Sequence, residues 1–326
     1  MITYDDAIEN KFVYKDKFFI FDTPQKKGLR FWMRHILCLG AGVLYRIILS
    51  FTSRKKMNYK YSISICAIFK NEAKFLNEWL EFHILVGIEH FYLYNNNSED
   101  NYLAILTPYI QDGIVTLVNW PDNPGQISAY NNWYHTFRDE TKWISFIDCD
   151  EFICPLYNNS LKTWIKRFEK YPLVMVYWKM FGTSGLTDHD DARLVTEQYT
   201  VSWPKLTNIG KLFYQTKYDI AAFKSDMMHC FSVRYSGINI PPVNSFGYFV
   251  KYGIHRTGGK EPDIQINHYW SKAYNAYIKK HERGDAAFGV SPRDFDYFIW
   301  HETRNIFSDY SAYRYIIQLK QKMRRE

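Results

Sequence analysis

The sequence predicts an α/β protein in which helices flank a mostly parallel sheet. Short β-rich runs alternate with helical repeats along the first half of the chain, beginning with a strand at 61–69 and a helix at 75–86. Loops of only a few residues separate these segments, which favours parallel strands joined by right-handed crossovers. With 326 residues, 47% of them hydrophobic, the chain can bury a core of this size.

Each element of that half follows from its own pattern. The run at 61–69 is β-rich and apolar enough for a central strand. Apolar residues then recur at spacings of three and four as far as Val86, which predicts an amphipathic helix that ends at Gly87. The alternation continues with a strand at 90–94, a helix at 102–110, a strand at 114–118 and a helix at 126–138.

The second half is less regular. A helix is predicted at 161–171 and strands at 173–178 and 264–270, followed by a helix at 271–281, whereas 199–265 gives no clear helix and no topology. We therefore divide the chain into three parts: an N-terminal helical extension at 1–57, an α/β domain at 58–290 and a C-terminal helical tail at 291–326. We expect the basic end of the tail to be frayed.

Composition narrows the class of protein. The net charge is +7, but the basic residues are spread along the chain except near its two ends, so we expect no nucleic-acid partner. Five cysteines make an odd count without a C-x-x-C pair. This argues against a disulfide framework or a zinc site and indicates reduced thiols in the cytoplasm.

The segment 31–51 has nearly the length of a membrane span. Arg34, His35 and Arg46 interrupt it, however, and its uninterrupted apolar part, 36–45, is too short to cross a bilayer. Basic residues lie before and after the segment. These features predict an amphipathic helix at the anionic inner face of a membrane; an ordinary packed helix is the alternative.

An apolar run from Trp143 ends abruptly in Asp148, Cys149, Asp150 and Glu151. On extended chain, carboxylates at i and i+2 point the same way and repel each other unless a cation lies between them. Hard oxygen ligands suit Mn²⁺ or Mg²⁺ bridging to a diphosphate, as in D-x-D sugar-nucleotide sites. The alternative is an acidic strand end that caps a helix.

Several blocks resemble the family 92 glycosyltransferases and their bacterial relatives in the family 2 group. The resemblance runs from about residue 61 to 285 and rests on 67–72, 78–83, 94–98, 146–152, 179–185 and 267–272, with Arg283 and Gly284. It implies a single GT-A (Rossmann-like) domain, a nucleotide-sugar donor and a divalent metal. Asn95 stands where the family usually has Asp.

The resemblance also implies roles for individual residues. Asp150 would bind the metal directly, and Asp148 would lie nearer the donor ribose or reach the metal through water. His268 would be a third ligand, or else a packed core histidine. Candidate donor-binding residues are Lys70, Asn71, Glu72, Asn95, Asn97, Lys211 and Lys224. If the reaction inverts the anomeric centre it needs a base, for which the candidates are Glu197, Asp190 and Asp188.

These observations predict a metal-dependent glycosyltransferase that moves a hexose, such as galactose, from a UDP-sugar to a glycan acceptor in surface polysaccharide or glycolipid assembly. Two alternatives stay open. A phosphoesterase or nucleotidyltransferase could use the same two acids and would release phosphate or pyrophosphate. A noncatalytic glycan- or membrane-binding module could keep the fold, although such a module has no need for a metal site.

Overall fold

The computed structural model describes residues 18–20, 28–51, 58–157, 160–220, 229, 231–284 and 294–323. The helices are α1 (Leu29–Ser50), α2 (Ala73–Val86), α3 (Tyr102–Gln111), α4 (Gln126–Thr136), α5 (Leu161–Ile165), α6 (Val195–Gln198), α7 (Tyr274–Arg283), α8 (Phe295–Glu302) and α9 (Tyr313–Met323), with 3-10 turns at Arg138–Glu140 and Lys166–Phe168.

The longer strands are β2 (Tyr61–Phe69), β3 (His90–Asn95), β4 (Val115–Asn119), β5 (Thr141–Phe146), β6 (Glu151–Pro155), β7 (Leu173–Phe181), β10 (Gly210–Gln215) and β15 (Ile264–Tyr269). The short strands are β1 (Phe19–Ile20), β8 (Val201–Ser202), β9 (Leu206–Thr207), β11 (Asp219–Ile220), β12 (Val233–Tyr235), β13 (Ile238–Ile240), β14 (Val243–Asn244) and β16 (Phe307–Ser308).

Most of these strands form one central sheet flanked by helices, which confirms the α/β fold. Its main path runs β16-β8-β7-β10-β5-β2-β3-β4. Strands β5, β2, β3 and β4 are parallel, as predicted. Beyond β5 the sheet becomes mixed, because β10 pairs antiparallel with both β5 and β7.

The order of the parallel strands creates a crevice. The chain passes from β2 outward to β3 and β4, and then returns to place β5 on the other side of β2. The strand order therefore reverses between β2 and β5. Open α/β sheets bind ligands outside the carboxyl ends of the strands at such a point. Residues that follow β2 and β5 are thus placed side by side at this edge.

Helix α2 lies against the sheet and carries much of the core. Its buried residues include Leu76, Trp79, Leu80 and Phe82. It ends at Gly87, whose φ of 109° lies in the left-handed region that a side chain disfavours, and the Gly87 amide donates to the His83 carbonyl oxygen. The predicted end of this helix is confirmed.

The N-terminal helix α1 is present and docks on the main domain through one face. Cys38, Tyr45 and Leu49 are its buried residues. The Tyr45 ring lies 5.2 Å from that of Phe249, and Arg46 donates to the Gly247 carbonyl oxygen at 3.1 Å. The opposite face is exposed and apolar. The docked face is that of a packed helix, and the interpretation as a membrane-surface helix stays a prediction.

The C-terminal helix α9 packs against α2 instead of fraying. The rings of Phe82 and Tyr315 are 5.2 Å apart, and Leu319 is fully buried. The Lys320 ammonium pairs with Glu197 at 2.6 Å, so the expectation of a frayed end is wrong for this residue. Apolar residues on one face of α9 account for the difference. They pack this helix on the domain, and the basic residues at its end continue the same helix.

The cysteines of the described part of the chain carry free thiols. Cys38, Cys66, Cys149 and Cys154 are all buried, as expected for reduced residues. Cys230 lies outside the described residues.

Candidate functional site

The two central acids lie in a tight turn between β5 and β6, which we call the acidic turn (residues 148–150). Strand β5 ends at Phe146, and the Glu151 amide donates to the Asp148 carbonyl oxygen at 3.1 Å before β6 begins. The acids therefore follow the carboxyl end of a strand, as predicted. The expectation that they project from extended chain is wrong, because the backbone turns back here to form a second strand.

Helix α2 holds the start of β6 and so fixes the acidic turn. The Trp79 indole donates to the Glu151 carbonyl oxygen at 2.9 Å, and the Ile153 amide donates to Nε2 of His83 at 3.1 Å. Burial lowers the pKa of His83 to about 3, so its ring is neutral. Two residues of the 78–83 block thus support the site from behind and do not line it.

Asp148 is held by an amide and an ammonium group. Gln126 on α4 donates to Oδ1 at 3.1 Å, and the buried Lys211 on β10 donates to Oδ2 at 2.9 Å. Burial alone would raise the pKa of Asp148, but the Lys211 charge more than offsets this and the pKa lies below its usual value. The structure therefore brings together two predicted site residues, with Lys211 as the partner of Asp148.

Asp150 is buried between a histidine and a lysine. Nε2 of His268, on β15, lies 3.6 Å from Oδ1, while the Lys280 ammonium on α7 contacts Oδ2. Burial opposes ionisation, yet the charge of Lys280 and the His268 ring beside the carboxylate hold the pKa of Asp150 well below its usual value. Asp150 is thus an ionised carboxylate with a histidine nitrogen beside it.

Glu151 differs from its two neighbours. Its side chain is fully buried, and Lys211 Nζ lies 3.6 Å from Oε1, beyond hydrogen-bonding distance. Burial raises the pKa of Glu151 well above its usual value. Ionisation is therefore favoured at Asp148 and Asp150 and disfavoured at Glu151.

An aromatic residue separates two histidines beside the acidic turn. The Trp178 ring centroid lies 4.7 Å from that of His268 and 4.8 Å from that of His229. Nδ1 of each histidine is buried without a hydrogen-bond partner. Burial is the main cause that lowers the pKa of both rings, to about 3 for His229. Both are therefore neutral donors of a nitrogen lone pair.

The loop after β2 contributes one further carboxylate, that of Glu72, to this edge. Glu72 is buried, lies 3.4 Å from the Lys272 ammonium and also pairs with Arg283 on α7. The Arg283 guanidinium donates in addition to the carbonyl oxygens of Lys70 and Asn71. Burial raises and these two cations lower the pKa of Glu72, with a net shift downward. Glu72 is thus an ionised anchor for the cations.

The asparagines that were expected to bind the donor make internal contacts. The Asn71 side-chain oxygen accepts from the Glu99 amide at 2.8 Å, and Asn95 bonds Tyr102, Asn119 and the Ser98 amide. Asn97 donates to the Pro121 carbonyl oxygen at 3.2 Å. These contacts fasten the loops after β2 and β3 to each other, as turn chemistry does. They leave the donor-binding role of these side chains a prediction. Lys224 lies outside the described residues.

The candidate bases belong to a different part of the surface. The Glu197 carboxylate pairs with Lys320, and Arg193 lies 3.9 Å away. Asp190 is exposed and accepts from the Ala192 amide, while Asp188 accepts from Asn275 at 2.8 Å. No contact within the described residues joins these carboxylates to the acidic turn, so their role as base stays a prediction without support from this geometry.

The donor set fits a divalent cation only in part. Asp150 Oδ1 and His268 Nε2 converge, and oxygen with neutral imidazole suits Mn²⁺. The buried Nδ1 of His268 has no hydrogen-bond partner among the described residues, so no second contact fixes the tautomer that would present Nε2 to a metal. Within the described ranges, however, no three His, Cys, Asp or Glu side chains form a ready metal cage. The remaining ligands would have to come from a bound diphosphate and water.

Sequence reasoning missed Lys280 and Gln126 as partners of the two acids. Lys280 stands in a charged run, 279–283, in which only the phase of the helix separates a site residue from a solvated one. The buried Tyr277 sets that phase and places Lys280 one turn farther along the same side. This signal was available before the fold was known.

Comparison with known proteins identifies relatives of this chain. A glycosyltransferase family 92 protein of Ricinus communis is 25% identical over 253 residues, which cover 72% of this chain and 43% of that protein. A galactan β-1,4-galactosyltransferase of Arabidopsis thaliana is 25% identical over 131 residues, 37% of this chain and 26% of its own. The chain therefore spans less than half the length of these relatives.

The crystal structure of S. aureus TarS 1–349 in complex with UDP superposes with a TM-score of 0.32 and 18% identity, covering 48% of this chain and 47% of that one. The model of glycosyltransferase family 92 matches residues 59–230, just over half of the chain, and these include β2, the loop after it and the acidic turn. This protein belongs to glycosyltransferase family 92.

Proposed function

We propose that this protein is a metal-dependent hexosyltransferase that uses a nucleotide sugar, first of all a UDP-sugar, and a glycan acceptor. The observation that carries the proposal is the acidic turn at the reversal of strand order, with ionised Asp148 and Asp150 and with His268 beside Asp150. Family membership agrees with it. Because one relative is named a galactosyltransferase, UDP-galactose is the first donor to test.

The chain's own residues divide the work as follows. Asp150 and His268 would hold Mn²⁺ or Mg²⁺, which when bound neutralises the charge of the departing diphosphate. Gln126 and Lys211 fix the Asp148 carboxylate from two sides, so it is oriented before a donor arrives. We assign Asp148 to donor orientation and Asp150 to the metal.

The proposal is tested by incubating the protein with UDP- and GDP-sugars and measuring the released nucleotide with and without Mn²⁺. We expect slow, Mn²⁺-dependent release of free UDP from one sugar, and faster release when a suitable acceptor is added. Release of phosphate or pyrophosphate would instead show a phosphoesterase or nucleotidyltransferase. Absence of any turnover, with glycan binding intact, would show a binding module.

We also infer that α1 holds the protein at the inner face of a membrane. By length and composition this helix could cross a bilayer, but one face packs on Phe249 in the main domain. Its outward side exposes large apolar residues together with the cations Arg30 and Arg34. An apolar face beside cations suits the surface of an anionic bilayer, with the helix lying in the plane of the headgroups.

Flotation with anionic and neutral vesicles tests this. We expect binding to the anionic vesicles that high salt releases in part, and weaker binding after Ile36→Asp on the exposed face. Cys38→Ser on the docked face should leave the vesicle affinity of the folded protein near normal. Extraction from cell membranes by detergent only, with complete resistance to salt and carbonate, would show a true span.

A further inference from the structure

Helix α7 lays two cations across the two strand ends that form the candidate site. Lys280 contacts Asp150 in the acidic turn after β5, and Arg283 contacts Glu72 in the loop after β2. The two residues are three positions apart and therefore lie on the same side of the helix. Lys279, the residue before Lys280 on the same helix, faces solvent. The helix thus places the charges of Lys280 and Arg283 at the crevice.

These two cations differ from the others in the cluster by their exposure. The side chains of Lys211 and Lys272 are 1% and 6% exposed, so they are confined among protein groups. Those of Lys280 and Arg283 are 32% and 22% exposed. Among these four cations, the α7 pair is therefore the more accessible to a ligand that enters the crevice from solvent.

Both α7 cations also keep donors for a ligand. The Lys280 ammonium has three N–H groups and uses two, toward Asp150 and the Trp270 carbonyl oxygen at 3.3 Å. The Arg283 guanidinium has five and bonds two carbonyl oxygens and Glu72. The acids therefore position these groups and do not use up their hydrogen-bonding capacity.

We propose that Lys280 and Arg283 form the diphosphate-binding surface of the site, with Lys280 as the residue that contacts the phosphate groups directly. This inference rests on the proposed function, because it takes a nucleoside diphosphate as the ligand. Arg283 anchors α7 to the loop after β2 and presents Lys280 to the ligand. Asp150 orients the Lys280 ammonium in the absence of ligand.

The test compares binding of UDP and uridine by calorimetry, with EDTA present so that no metal contributes. Lys280→Met should weaken UDP binding about tenfold, as expected for one charge-assisted hydrogen bond, and leave uridine binding unchanged. Lys280→Arg should restore most of the UDP affinity. Lys279→Met, a neighbouring lysine exposed on the same helix, should bind both ligands like the wild type.

The outcomes separate this inference from the function on which it rests. If the wild type binds UDP and Lys280→Met binds it equally well, Lys280 does not contact the diphosphate and the inference is wrong. Equal weakening of UDP and uridine binding would also overturn it, because it would show a distorted pocket. If the wild type binds no nucleoside diphosphate, with or without Mn²⁺, the proposed function itself fails.

Discussion

Two groups of acids in this chain look alike in sequence and differ in the structure. Asp150 is buried and Asp148 is partly exposed, and the two carboxylates are paired with Lys211, Lys280 and His268. The acidic loop, residues 188–191, is exposed, and its carboxylates bond a nearby amide, a side-chain amide and Lys74. A carboxylate is suited to bind a metal or a substrate when buried partners fix its position. A D-x-D spacing alone does not supply such partners.

The largest difference should come from replacing one acid of each group by asparagine. Asp150→Asn keeps the shape of the side chain but removes the charge that would hold the metal, so we expect transfer to fall about a thousandfold, equivalent to about 4 kcal/mol of transition-state stabilisation. Asp190→Asn, the matched change in the acidic loop, should alter turnover by less than about threefold. Steady-state rates with a UDP-sugar at saturating Mn²⁺ measure both. A large loss in Asp190→Asn would make it the base after all and reverse the comparison.

Lys211, the buried cation that pairs with Asp148 of the acidic turn, should contribute to stability. Lys211→Met leaves the Asp148 carboxylate without its main counterion, so the free energy of unfolding should fall by about 2 kcal/mol, less than for a fully buried pair because Asp148 is partly exposed. Lys142→Met is the control, since Lys142 forms a surface pair with Glu169 and its loss should cost less than about 1 kcal/mol. Urea denaturation gives both values, and equal losses would mean that burial of Lys211 contributes nothing.

His83, which holds the start of β6 behind the acidic turn, should make the free energy of unfolding depend on pH. His83 has its pKa lowered from 6.5 to about 3, so the unfolded chain takes up a proton below pH 6.5 that the folded protein refuses until about pH 3. Stability is therefore lost as the pH falls through this window. Between pH 7.5 and pH 5 this histidine should account for about 2 kcal/mol of the decrease.

His83→Gln removes that titration while keeping a polar side chain. Other buried histidines still titrate in the variant, so the difference between the two pH profiles isolates His83. We expect the variant to be less stable at pH 7.5 and to lose about 2 kcal/mol less on acidification to pH 5. Parallel profiles from urea denaturation would show that His83 is accessible to protons in the folded state.

The smallest effect is expected at Glu197. Glu197→Gln removes a partly exposed pair with Lys320 and a distant one with Arg193. Such pairs contribute up to about 1 kcal/mol, so the melting temperature should fall only slightly, with no change in turnover. Differential scanning calorimetry and the same transfer assay check this. A pronounced loss of turnover with an unchanged melting temperature would identify Glu197 as part of the reaction.

The first half of the fold could be predicted because its periodicity is local. The predicted strand at 61–69 and the predicted end of α2 at Gly87 agree with the structure. Both predictions depend only on residues that are close together in the sequence, namely the apolar spacing and the glycine that ends the helix. The mixed pairing of β10 and the strand β6 were missed, because pairing between distant segments leaves no local pattern.

The site could be predicted in part for the same reason. Asp148, Asp150 and His268 do come together, as their positions at strand ends suggested. Asn95 makes three internal hydrogen bonds that no local sequence pattern reveals, and its donor-binding role stays a prediction. Lys280 reaches Asp150 across 130 positions of sequence, a contact that depends on where α7 docks.

The central claim is that the acidic turn, and not the acidic loop, binds the divalent cation together with the nucleotide. Titration of Mn²⁺ in the presence of UDP, followed by the paramagnetic signal of the free ion, tests it directly on the wild type, Asp150→Asn and Asp190→Asn. We expect one tight Mn²⁺ site in the wild type and in Asp190→Asn, and at least about tenfold weaker binding in Asp150→Asn, because a charged ligand is lost. Wild-type Mn²⁺ affinity in Asp150→Asn, or a loss confined to Asp190→Asn, would contradict the account.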